Sequence, residues 1–113
     1  MAFYGQWSQI NYSGGGTGLI LTCPTGCAIR VTAYRLSATA ANTAAWAYGT
    51  SSGSTTVIDG PHFLPAGGPP MVVGANPEEP VFQLPPNENL YLTTTAASQV
   101  SGGISASIVP APS

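Results

Sequence analysis

Cys27-Ala28-Ile29-Arg30-Val31-Thr32-Ala33-Tyr34-Arg35-Leu36 is the stretch that decides the fold. Ile29, Val31 and Ala33 alternate with Arg30, Thr32 and Tyr34, a period of two, and successive side chains of a strand point to opposite faces of a sheet. The segment predicts a strand with one face in a core. Arg30 and Arg35 are five positions apart, so a regular strand would send them to opposite faces, one of them toward a carboxylate.

Working outward, 18–22 is a short apolar run that ends at Pro24 and Gly26, as a strand and turn would. Further strand candidates lie at 46–49, 55–58, 62–64, 71–73, 81–84, 90–95 and 103–109, separated by turn clusters such as Ser51-Ser52-Gly53, Asp59-Gly60-Pro61 and Pro85-Pro86-Asn87. Residues 38–45 are rich in Ala, Thr and Asn and read as a loop, because so short a segment of mediocre helix formers barely nucleates. Short strands punctuated by Gly and Pro predict an all-β chain, a jelly-roll-like β-sandwich of about eight short antiparallel strands. There is no alternation of strand and helix patterns that would suggest a doubly wound sheet.

Residues 1–17 differ from the rest. Phe3, Tyr4, Trp7, Ile10 and Tyr12 are interleaved with Gly, Gln, Ser and Asn, and Gly14-Gly15-Gly16 follows. This predicts an extended aromatic N-terminal arm and a glycine hinge over 1–17, ahead of a sandwich domain over 18–113. Phe3, Tyr4, Trp7 and Tyr12 are candidate anchors on a partner, since aromatics bury much area at low entropic cost. The competing reading makes them the first strand of the sandwich.

The chain has 113 residues, only 5% of them charged: Arg30, Arg35, Asp59, Glu78, Glu79 and Glu88, with no lysine and a single histidine, His62. A soluble domain usually carries about a quarter charged residues. So small a stock argues against an enzyme, a metal centre, a cofactor site and a nucleic-acid interface, which draw on these groups. No apolar run of about 18 residues predicts a membrane span, and the opening residues carry no secretory pattern, so synthesis in a cytoplasm is expected. A net charge of −2 gives weak repulsion between copies and suits self-association.

Individual motifs add little chemistry. Asp59 and His62 flank a Gly-Pro turn and serines are abundant, but a triad needs its members arranged in space with the base oriented by a buried acid, and Asp-Gly-Pro-His offers only a turn, with no Gly-x-Ser-x-Gly elbow in the sequence. Glu78 and Glu79 sit between Pro77 and Pro80 like a solvated loop tip. Asn11-Tyr12-Ser13 fits the glycosylation pattern without a secretion route to use it. Cys23 and Cys27 bracket Pro24-Thr25-Gly26; they are candidates for a disulfide across a turn, though free thiols fit a cytoplasmic product better. Trp46 and Tyr48 share one strand face, with Tyr91 a third aromatic, and form a candidate stacking platform for a sugar.

The stretch from Cys27 to Ala38, then Thr55-Thr56-Val57-Ile58-Asp59-Gly60-Pro61 and Leu90-Tyr91-Leu92-Thr93, with Pro65-Ala66-Gly67-Gly68 at a loop position, resembles a group of small tailed-bacteriophage virion proteins. The chain departs from that pattern at Asn76-Pro77-Glu78-Glu79-Pro80, which has no Trp. The resemblance implies a capsid decoration (cement) protein, a jelly roll that assembles as a small oligomer. The expected oligomer is a homotrimer, its partner the major capsid protein and its place the capsid exterior, after assembly in the cytoplasm of a bacterial host. The alternative is a carbohydrate- or host-receptor-binding head of a phage fibre or tail component.

Overall fold

The computed structural model describes residues 6–13, 15–51, 53–67, 71–74, 81–95 and 99–110. Among them nine strands run in the order β1 (Gln6–Tyr12), β2 (Gly16–Leu21), β3 (Cys27–Ala38), β4 (Asn42–Ser51), β5 (Ser54–Leu64), β6 (Met71–Val73), β7 (Phe82–Gln83), β8 (Asn89–Thr94) and β9 (Val100–Pro110). They form two antiparallel sheets packed as a β-sandwich. One has the order β1-β9-β3-β6, with β7 also on β3, and the other the order β2-β8-β4-β5. No helix occurs among the described residues, so none there is long and apolar enough to cross a membrane.

The core follows from alternation. Ile10, Ile29, Val31, Tyr34, Leu36 and Ile104 come from the five-stranded sheet and meet Trp46, Leu64, Leu90 and Leu92 of the four-stranded one. Along β9 the even-numbered residues face this core: Tyr34 stands opposite Ile104, Ala38 opposite Val100 and Ile29 opposite Ile108.

Along β3, however, the inward residues switch from odd numbers (Ile29, Val31) to even ones (Tyr34, Leu36, Ala38). The cause is a bulge: Val31 pairs with Ala106 and Ala33 with Ser105, so Thr32 is one residue extra. Arg30 and Arg35 therefore share the outer face, which corrects the expectation that they diverge. A period-two count across 27–36 cannot see this insertion.

Two further expectations change. The loop over 38–45 gives way to β4 from Asn42 onward, with Ala44 and Ala45 buried. Ala44 lies on the core face of β4 beside Trp46, and Ala45 on the outer face opposite Thr93. The turn at Asp59-Gly60-Pro61 lies within β5. There Ala44 pairs with His62 and Trp46 with Asp59, so β5 spends one residue more than β4 over this interval, and the Gly60–Pro61 bond is cis. The Gly-Pro signal marks a bulge that bends an edge strand rather than ending it.

Residues 6–12 of the expected arm pair with β9 along their whole length. The expected hinge contains Gly15 and Gly16, both in the left-handed region (φ 68° and 69°), where glycine carries no steric penalty. This turn delivers the chain from the first sheet to the second, and Gly16 already begins β2.

Candidate functional site

The registers of the four-stranded sheet place Leu19 of β2 opposite Tyr91 of β8, Tyr91 opposite Ala47 of β4, and Ala47 opposite Val57 of β5. One apolar row thus crosses all four strands on the outer face, with Tyr91 and Ala47 buried between the exposed Leu19 and Val57. Leu19 is 54% exposed and Val57 52%. A parallel row continues through Thr17, Thr93 and Ala45, and Thr43 pairs with Phe63, itself 67% exposed. Thr17 and Thr93 meet through their hydroxyls at 3.0 Å, and Thr43 and Thr95 at 2.9 Å. No Asp, Glu, Arg, Lys or His lies on these rows.

A polar cluster sits at the other side of the same sheet. Tyr34, buried on β3, donates its hydroxyl to Asp59 Oδ2 at 2.6 Å. His62 Nε2 lies 3.1 Å from Asp59 Oδ1 and 3.2 Å from the Tyr34 oxygen. The β5 bulge gathers Asp59 and His62, and Tyr34 packs edge-to-face on Trp46 with ring centroids 5.4 Å apart. Burial first, and then the bond to Asp59, hold the Tyr34 phenol well above its ordinary range. It therefore stays a hydrogen-bond donor. The cluster ties β3 of one sheet to β5 of the other, and the side chains of Asp59 and His62 keep 26% of their surface in water. It contains an acid and an imidazole, and among the described residues no serine, threonine or cysteine is bonded to the imidazole. Among the described residues no three of His, Cys, Asp and Glu gather as metal ligands.

Sequence reasoning paired Asp59 with His62 only as a turn and did not single out Tyr34. The period-two reading places Tyr34 on the side of Arg30 and Thr32, and only the bulge at Thr32 turns its phenol inward, where the O–H needs a partner.

The cysteines lie at one end of the sandwich, where the 22–26 connection crosses between sheets. Both are free thiols. Burial is the main cause that pushes the Cys23 thiol up, and its S–H donates to the Cys27 carbonyl at 3.1 Å. Asn87 and Asn89 latch this loop: Gly26 N–H donates to Asn87 Oδ1 at 2.7 Å and Cys23 N–H to Asn89 Oδ1 at 2.8 Å.

The sugar platform is corrected. Trp46 and Tyr48 do share a face, but it is the inner one, opposite Leu92 and Leu90. Trp46 has 0% exposure and offers no ring face to a ligand, and Tyr48 is half-buried against the core, so the two do not form a platform together. Tyr91 is buried too, flanked by Leu19 and Ala47. Of the four aromatic anchors, Phe3 and Tyr4 lie outside the described residues, as does the side chain of Trp7, whose backbone pairs opposite Ser105. Tyr12 is half-buried against the core, its ring over Gly18 of β2 and its hydroxyl donating to the Gly15 carbonyl. Glu78 and Glu79 also lie outside the described residues.

No family model, curated protein or solved structure matches this chain.

Proposed function

We propose that this chain is a structural virion protein, a jelly-roll subunit that decorates the exterior of a bacteriophage capsid and reinforces it. On this reading it assembles in the bacterial cytoplasm and docks on the major capsid protein as a small oligomer. The jelly-roll assignment is supported by the strand orders β1-β9-β3-β6 and β2-β8-β4-β5, which interleave the two halves of the chain as two nested Greek keys do.

The observation that carries the function is the uncharged row Leu19, Tyr91, Ala47 and Val57 across the four-stranded sheet. A flat face without charge buries no unpaired ion on docking and needs no complementary charge on its partner. Weak contacts suffice when a lattice repeats them, because each bound copy in an oligomer raises the effective concentration of the next.

The test is cosedimentation with capsids stripped of this chain. Leu19 and Val57 are each about half exposed, so the Leu19→Asp/Val57→Asp variant is expected to fold. Losing their burial and introducing two charges costs about 3 kcal/mol of docking, and capsid retention should fall at least tenfold. Retention at the wild-type level would refute this face as the contact.

A further inference from the structure

The two sheets expose four edges, and three of them are guarded. The edge formed by β6 and β7 is made of strands three and two residues long. β2 loses register with β8 between Leu19 and Leu21. β5 breaks register with β4 in three places and carries Pro61. Short strands, bulges and proline are the devices by which sheets keep foreign strands from adding on.

β1 has none of them. Its sequence, Gln-Trp-Ser-Gln-Ile-Asn-Tyr, contains no proline, glycine or charged residue. It pairs with β9 in unbroken register from Gln6 opposite Ala106 to Tyr12 opposite Val100. In an antiparallel ladder, alternate residues turn their N–H and C=O groups away from the existing partner. Among the described residues no strand lies beyond β1 to receive them.

We infer that β1 is where a second copy of this chain adds, β1 against β1, antiparallel about a two-fold axis through Gln9. The two five-stranded sheets then become one continuous sheet. Directly opposed residues of an antiparallel pair point to the same face, so a symmetric pair must match inward residues with inward ones. Centring on Gln9 does this and uses all seven residues: Ser8 stands opposite Ile10 of the second copy, and Gln9 opposite Gln9. Gln9 is exposed on the outer face, where two facing amides can each donate and accept.

A second copy is favoured as the occupant because an uncharged strand meets itself without like-charge repulsion and because the pairing closes as an isologous dimer. The Tyr12 ring over Gly18 stacks the β1 edge on the β2 edge, so the contact is two strands deep. It measures about 24 Å along the strand and about 10 Å across the sandwich. That is small for a stable interface, and dissociation constants of tens of micromolar are expected. Leu19 lies on β2, inside this edge, whereas Val57 lies on β5 at the opposite edge of its sheet, so Val57 is the residue at which this inference and the docking proposal fail separately.

Sedimentation velocity from about 5 to about 500 µM brackets the affinity expected for so small an interface. The wild-type chain should pass from monomer to dimer. Gln9→Lys sets two cations across the axis at an exposed position and should weaken association at least tenfold. Gln9→Cys, with Cys23 and Cys27 replaced by serine, should form a disulfide-linked dimer on oxidation, while Asn11→Cys in the same background should not, since Asn11 would face Trp7. Val57→Asp, on β5 at the far edge of the sandwich, should leave the dimer intact. A chain that stays monomeric throughout the range overturns the inference. So does a trimer, or any oligomer that Gln9→Lys leaves unchanged and Gln9→Cys does not cross-link.

Discussion

The outer faces of the two sheets are made by the same alternation of strand residues, yet they differ in kind. The five-stranded sheet shows Arg30, Arg35, Ser37 and Ser101, with Thr32 Oγ1 lying 3.1 Å from both the carbonyl and hydroxyl oxygens of Ser105. The four-stranded sheet shows Leu19, Val57, Phe63 and paired threonines, with no charged side chain on its rows. A chain with so few charges has nonetheless sorted them, and the lesson is that a bare face can be a consequence of placement as well as of composition. Inside, each sheet also contributes differently. The four-stranded sheet supplies bulk through Trp46; the five-stranded sheet supplies close backbone approach and the phenol of Tyr34.

The strongest way to break this division is Trp46→Ala. Trp46 is fully buried and touches both Tyr34 and Phe82, so the loss should be about 3–5 kcal/mol, read as a drop in the urea midpoint. That is a large share of a small domain's stability. Gly102→Ala attacks the other sheet. Gly102 has φ 150°, and a Cβ there would collide with the Arg35 carbonyl, so both conformation and space oppose the change. We expect a loss of about 2 kcal/mol or more by the same measurement.

The smallest effect should come from the link between the sheets. Tyr34→Phe keeps the ring and removes the O–H donated to Asp59, a loss of about 1–2 kcal/mol near neutral pH for a bond to a partly solvated carboxylate. The alkaline behaviour sharpens the test. The folded phenol is raised above its ordinary value of 10.0, so the stability it contributes is full below that pH. Above it the unfolded chain loses the proton first, and stability falls as pH rises. Urea titrations across this range should show a shallower decline for Tyr34→Phe than for the wild-type chain, and equal slopes would remove Tyr34 from the alkaline transition.

Strands with large alternating residues were legible in the sequence. β3 announced itself through Ile29 and Val31, and β8 through Leu90 and Leu92. The start of β4 was not legible, because Asn42, Thr43, Ala44 and Ala45 owe their strand conformation to partners on β5 and β8 rather than to their own preference. β5 was split in two by a Gly-Pro signal that serves a bulge as well as a turn. The Trp46–Tyr48 pairing was legible but its direction was not: period two states which residues share a face, and only the opposite sheet decides whether that face is inside. The gathering of Tyr34 with Asp59 and His62 depended on contacts 25 and 28 residues apart in the chain, beyond any local pattern.

Thr32 has a consequence for how this chain can change length. The residues before it and after it obey opposite parities only because it is there, so removing this one residue would place Ile29, Val31, Tyr34 and Leu36 on a single period of two, with Val31 still opposite Ala106 and Ala33 opposite Ser105. No core side chain would change face, and neither Arg30 nor Arg35 would be drawn inside. The length of β3 can therefore shrink by one residue here without disturbing the core, because the residue that would be lost is the one that stands opposite no partner.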